Sequence, residues 1–172
     1  MSRGAARGLA VLLGAWAAAT GVAATSSFEA RVTQVVDGDT LWVRPVAPDA
    51  AGRTSGSGVK VRLHGLDAPE RCQAWGAESR SALASRLGAG PVRVEGLGRD
   101  DHGRLLARVW HLDEDVGAWL VERGHAWSDG RGHSGGPYAA RQRRAREARA
   151  GLFAHAAPVR PREFRRLHGP CP

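Results

Sequence analysis

Lysine is almost missing from this chain: Lys60 is the only one among 25 basic residues. Arginine therefore carries nearly all the positive charge, and the 172 residues sum to a formal net charge of +8. That balance favours a polyanionic partner, although composition alone does not decide it. Cysteine is scarce too. Cys72 and Cys171 are the only two, and the seven histidines show no paired metal spacing, which argues against a four-ligand structural zinc site. No long apolar run is present. The stretch Leu9 to Ala19 is alanine-rich and shorter than the roughly 20 residues of a membrane-spanning helix. There are no internal repeats, and the length is that of a single domain with a modest core.

Several features mark the first stretch as a targeting segment. Arg3 and Arg7 form a basic start, Leu9 to Ala19 an apolar middle, and Val22-Ala23-Ala24 a small-residue cleavage signal. Removal after about Ala24 is expected, giving domains of 1–24 (signal peptide), 25–157 (the folded domain) and 158–172 (an Arg- and Pro-rich surface tail). A retained anchor is the alternative. No twin-arginine pair stands in this stretch, so ordinary export of an unfolded chain to a secreted or periplasmic location is expected. An oxidising compartment permits a Cys72–Cys171 disulfide, which would tie the tail beside Glu70.

Alternation and turn residues predict strands at Phe28 to Val36, Thr40 to Val46, Val59 to His64, Pro91 to Leu97 and Leu105 to His111. Val32, Gln34 and Val36 are expected on one face of the first. In the third, Val59, Val61 and Leu63 face one way, with Lys60, Arg62 and His64 opposite. Residues 47–58 read as a flexible loop. Helices are expected at Gly76 to Leu87, after an Asp115 cap, and from Pro137 to Gly151 with Tyr138, Ala145, Ala148 and Leu152 buried. Five short strands and about three helices suit an α+β fold: a five-stranded, partly open barrel of the OB type with packed helices.

Three strings carry the chemistry: Asp37-Gly38-Asp39-Thr40, Arg62-Leu63-His64-Gly65-Leu66-Asp67-Ala68-Pro69-Glu70, and Asp100-Asp101-His102-Gly103-Arg104. Asp37 and Asp39 flank a glycine, and Asp67 can complete an oxygen-rich cluster suited to Ca²⁺ or another hard cation. Taken alone, Asp-Gly is also a common turn pair. Arg62 and Arg104 offer planar forks for phosphate oxygens. Glu70 follows Pro69, which turns the chain out of any ladder, and is a candidate base. A cation, two arginines and a base are what phosphodiester cleavage needs: charge neutralised in the transition state and a water deprotonated in line. His64 and His102 lie near this set. Arg141, Arg143, Arg144, Arg146 and Arg149 crowd the last helix, either tracking a phosphate backbone or forming a solvated face.

Together, Val35-Val36 through Thr40, Arg62 to Glu70, Asp100 to Arg104, Trp75-Gly76-Ala77-Glu78 and Asp115 to Trp127 resemble the thermonuclease (staphylococcal nuclease-like) family over most of residues 28–155. The resemblance implies an OB barrel that uses Ca²⁺ to hydrolyse DNA and RNA to 3′-phosphate ends. It implies calcium ligation by Asp39, Asp67 and the backbone carbonyl of Ala68, with Asp37 in a weaker, outer role. Arg62 and Arg104 then bind phosphate and Glu70 activates water. Two places depart from the pattern. His102 stands where the best-known member has a tyrosine that touches phosphate, and Ser128 to Gly136 does not match the tyrosine-bearing loop that packs on the base. The expectation is a secreted or periplasmic, monomeric Ca²⁺-dependent nuclease acting on DNA or RNA. The alternatives are a non-catalytic OB-fold nucleic-acid-binding module and a surface protein that binds Ca²⁺ for stability alone.

Overall fold

The computed structural model describes residues 27–46, 57–130 and 135–172. The expected signal peptide, residues 47–56 of the expected loop and 131–134 lie outside the described residues. In chain order the elements are β1 (Ser27–Val35), β2 (Thr40–Pro45), β3 (Val59–Leu63), the two-residue β4 (Leu66–Asp67), α1 (Gly76–Leu87), β5 (Pro91–Arg99) and β6 (Leu105–His111). The short β7 (Glu114–Asp115), α2 (Val116–Glu122), β8 (Trp127–Ser128), α3 (Ala139–Glu147), a 3₁₀ turn (Gly151–Ala154) and α4 (Pro161–His168) follow.

Antiparallel neighbours run β3-β2-β1-β5-β6, and a parallel pairing of β3 with β6 closes them into a five-stranded barrel. The expected OB architecture is therefore present. Apolar alternation drives the closure. Ala30, Leu41, Val43, Val61, Leu63, Val92, Val94, Ala107 and Val109 point inward and are at most 2% exposed. Each of the valines and leucines contributes roughly 1.5–3 kcal/mol by leaving water, the two alanines less. Leu83 and Leu87 of α1 and Val116, Leu120 and Val121 of α2 extend the same core. A smaller cluster of Trp127, Ala145, Leu152 and Phe153 seats α3 and the 3₁₀ turn.

Local signals explain the helix ends. Asp115 caps α2 by accepting the Ala118 N–H at 3.0 Å. The same carboxylate receives the hydroxyl of Tyr138, the only tyrosine, at 3.0 and 3.2 Å. Burial and then the Asp115 charge hold that hydroxyl's pKa well above its ordinary value.

The structure departs from the sequence expectations in four places. A bulge between Val32 and Gln34 breaks the alternation of β1, so Gln34 is exposed while Val35 packs on the core. The helix expected from Pro137 to Gly151 is shorter, because Arg149 and Gly151 take positive φ (50° and 52°) and turn the chain. Ala148 is consequently exposed, whereas Tyr138, Ala145 and Leu152 are buried. Finally, residues beyond Pro158 form a helix, α4, rather than a plain surface tail.

Gly38 is required by space. A Cβ there would lie 2.0 Å from Ser79 Oγ and 2.7 Å from Ala68 Cβ, so the β1–β2 turn is pressed against α1. Gly38→Ala is expected to cost about 1–3 kcal/mol in urea unfolding; an unchanged midpoint would show that the turn relaxes freely. His125 lies between Trp75 and Trp119, with ring centroids 6.3 and 5.8 Å away. Burial, then the Arg123 charge, pushes its pKa below the usual 6.5. The unfolded chain thus binds the proton more readily, so this contribution to stability is complete above pH 6.5 and is lost as pH falls below it. Thermal melts across that range are expected to show a fall that His125→Gln flattens.

Candidate active site

The β1–β2 turn presents the first acids. Asp37 Oδ1 accepts the Asp39 N–H at 3.0 Å, which folds the turn on itself and aims Asp39 inward. Asp39 is only 2% exposed. Its Oδ2 accepts the Ala68 N–H at 2.8 Å, and its Oδ1 takes the Thr40 hydroxyl at 3.1 Å and the Arg62 guanidinium. Burial raises the Asp37 pKa, opposed by the charge of Arg62, by hydrogen bonds from Thr40 and by the charge of Arg104.

Strand register brings the second string alongside. Thr40 pairs with Arg62 across β2 and β3. Arg62 bridges Asp39 to Asp67, reaching Asp67 Oδ1 at 3.0 Å. Asp67 is set by β4, where it pairs with Trp127 of β8. The chain then turns at Pro69, and Glu70 is fixed by exchange with Gln73. The Glu70 N–H donates to Gln73 Oε1 at 3.1 Å, and the Gln73 N–H donates to the Glu70 carbonyl at 2.9 Å.

Barrel closure delivers the third string. Because Val61 pairs with Leu105 and Arg62 with Leu106, Arg104 emerges at the same rim as Arg62. Its Nε donates to Asp100 Oδ2 at 2.7 Å. Asp100 in turn accepts the N–H groups of His102 and Arg104, each at 3.0 Å. Burial works against the Asp100 charge, but the Arg104 side chain and these N–H groups together outweigh it and hold its pKa below the ordinary value.

Asp37, Asp39, Arg62, Asp67, Ala68, Glu70 and Arg104 all line one cleft of about 1200 Å³. His64 and His102 line it too. His64 Nδ1 is buried without a partner among the described residues. The donor set of Asp39 and Asp67 is one of hard oxygens, which fits Ca²⁺ chemistry. Among the described residues, no three acidic, histidine or cysteine side chains converge as a ready cage. A cation here would draw its remaining ligands from carbonyl and water oxygen, as hard cations do.

Most of the α3 arginines are occupied elsewhere. Arg141 and Arg144 pair with Glu122, and Arg146 lies over the rings of Trp127 and Phe153 at 4.8 and 5.0 Å. The sequence reading missed Arg165 of α4. It reaches Asp67 and Glu70 from the far end of the chain. The one sequence signal for this was Cys171, which is joined to Cys72, two residues beyond Glu70.

Comparison with known proteins agrees with this geometry. The family described as staphylococcal nuclease homologue matches residues 60–155, a span that includes Arg62, Asp67, Glu70 and Arg104. An uncharacterized endonuclease of Haemophilus influenzae is 32% identical over 136 residues, 79% of this chain and 72% of the relative. An uncharacterized endonuclease of Escherichia coli O157:H7 is 33% identical over 132 residues, 76% of this chain and 80% of the relative. A probable staphylococcal-like nuclease of Oryza sativa is 31% identical over 107 residues, covering 62% of this chain and 29% of that longer protein. With its closed barrel and its acids and arginines gathered at one rim, the chain belongs to the staphylococcal nuclease homologue family, a family of phosphodiester hydrolases.

Proposed function

We propose that this protein is a secreted or periplasmic Ca²⁺-dependent nuclease that hydrolyses phosphodiester bonds in DNA, and in RNA as well, to 3′-phosphate products. One observation carries the reading: five residues from three separated strings, Asp39, Arg62, Asp67, Glu70 and Arg104, line a single cleft. Membership of the nuclease family supports the reaction class. Secretion rests on the basic, apolar and small-residue pattern of residues 1–24.

Each residue has a chemical task. Arg62 and Arg104 grip non-bridging phosphate oxygens and neutralise charge that grows as the phosphorus becomes five-coordinate. Glu70 stands on a turn held by Gln73. There it takes a proton from the attacking water. Asp39, Asp67 and the Ala68 carbonyl are the groups to hold Ca²⁺, with Asp37 steadying the turn behind them. The bound ion supplies further charge neutralisation at the phosphate. The 5′ oxygen departs, leaving the phosphate on the 3′ side. His64 and His102 border the cleft and contact the strand beside the scissile linkage.

A binding module on the same barrel is the rival reading. The presence of the whole charged set, rather than a basic surface alone, favours hydrolysis. Purified residues 25–172 are expected to degrade single- and double-stranded DNA and RNA with Ca²⁺ and to stop with chelator. Tight binding with no turnover under any divalent ion would replace hydrolysis with the binding role. Glu70→Gln is expected to lower kcat by roughly 10²- to 10⁴-fold with KM nearly unchanged. Undiminished turnover in that variant would remove Glu70 from the mechanism. Arg104→Lys keeps the charge but loses the planar fork, and is expected to lose most activity without loss of thermal stability.

A further inference from the structure

The C-terminal segment is clasped over the cleft at both of its ends. Before α4, the Val159 carbonyl accepts Gln73 Nε2 at 2.8 Å. After it, Cys171 is bonded to Cys72, and the Pro172 carbonyl accepts Arg71 Nη2 at 2.6 Å. All three anchors belong to residues 71–73, directly after Glu70. α4 itself buries little: only Pro161 among its residues is buried. The clasp, rather than a core, holds this helix in place.

What the clasp delivers is a guanidinium. Arg165 Nη1 donates to Asp67 Oδ1 at 3.1 Å and to Glu70 Oε1 at 2.5 Å, and Nη2 donates to Asp67 Oδ2 at 3.2 Å. Both Asp67 oxygens are thereby engaged, since Oδ1 also accepts from Arg62. A divalent cation at Asp67 would meet oxygens already engaged by Arg165, whose positive charge opposes it. Two cations that need one set of ligands bind competitively. Tethering raises the local concentration of the internal competitor without adding any contact.

We propose that Arg165 is a further functional residue of this site, a tethered internal cation that holds Asp67 and Glu70 until a divalent ion exchanges for it, with the Cys72–Cys171 bond setting how strongly it competes. The inference rests on the reading of Asp67 as a metal ligand. Its consequence is a cation threshold. The disulfide-bonded chain requires more Ca²⁺ than a chain with the strap opened, so the reduced form is the more readily loaded one.

Calcium binding to the nucleic-acid-free, disulfide-bonded chain, measured by titration calorimetry, tests this. Arg165→Ala is expected to tighten Ca²⁺ binding by roughly 5- to 100-fold. The Cys72→Ser/Cys171→Ser pair is expected to tighten it by less. Arg162→Ala removes the same charge from the same cleft but from a residue with no bond to these carboxylates among the described residues, and is expected to stay within about twofold of the parent. Arg165→Gln is the second variant should the alanine change disturb α4.

Unchanged Ca²⁺ affinity in both Arg165 variants, an equal gain in Arg162→Ala, or no Ca²⁺ binding by any form overturns the exchange. So does a rise in KM for DNA at saturating Ca²⁺ with Ca²⁺ affinity unaltered, which makes Arg165 a substrate contact instead. The two proposals fail separately. Tighter Ca²⁺ binding without hydrolysis by any form keeps the exchange and removes the nuclease reading. Ca²⁺-dependent hydrolysis with equal affinities does the reverse.

Discussion

Arg62 is the residue on which the site depends. Asp39 comes from the β1–β2 turn and Asp67 from β4, and both are largely withdrawn from water, with side chains 3% and 12% exposed. Two such carboxylates repel each other, and each loses several kcal/mol of hydration. The guanidinium between them offsets both costs. It can stand there only because Thr40 pairs with Arg62 on one side and Leu106 pairs with it on the other. The barrel's closure and the site's charge balance are thus one constraint. A one-residue slip of β3 would turn Arg62 to the opposite face and leave two buried acids unpaired.

That link explains why so much of the site was legible in the sequence. Alternation over Val59 to His64 already placed Arg62 opposite the apolar face, and Pro69 already took Glu70 out of the ladder. Local rules of this kind act within a few residues. Gathering the three strings required the parallel β3–β6 pairing, which no local pattern announces. The resemblance of the joined strings to a known family supplied that step. The bulge in β1 was hidden for a related reason. It is settled by how β1 fits β2, not by its own composition, and it turned Gln34 outward against the simple alternation.

α4 was missed because its apolar positions, Pro161, Phe164 and Leu167, recur at helical spacing over only eight residues and bury little. Pro161 at its start and Gly169 at its end are ordinary start and stop signals, and Phe164 and Leu167, though on one side with Pro161, leave that side mostly unburied. The helix is held by bonds from its flanks to residues 71–73. A reading that asks where apolar side chains are buried finds little reason for such an element, since only Pro161 is buried. A reading that follows Cys171 to Cys72 finds the position but not the structure. Arg165 could be located only once both were known.

Three of the four arginines that line the described cleft are already paired: Arg62 with Asp39 and Asp67, Arg104 with Asp100, Arg165 with Asp67 and Glu70. Of the cleft's arginines, only Arg162 has no ion pair among the described residues. Binding a polyanion is therefore an exchange of partners rather than the filling of an empty site, since each paired guanidinium that turns to a phosphate oxygen leaves a carboxylate behind. A divalent ion held by Asp39 and Asp67, as proposed, would supply the positive charge that those carboxylates would otherwise lack. Metal and phosphate should accordingly favour each other's binding, because each relieves the charge that the other exposes. A phosphate arriving without the cation strands an acid, and a cation arriving alone must displace a guanidinium. This coupling is a property of the paired cleft and would hold whichever nucleic acid supplies the phosphate.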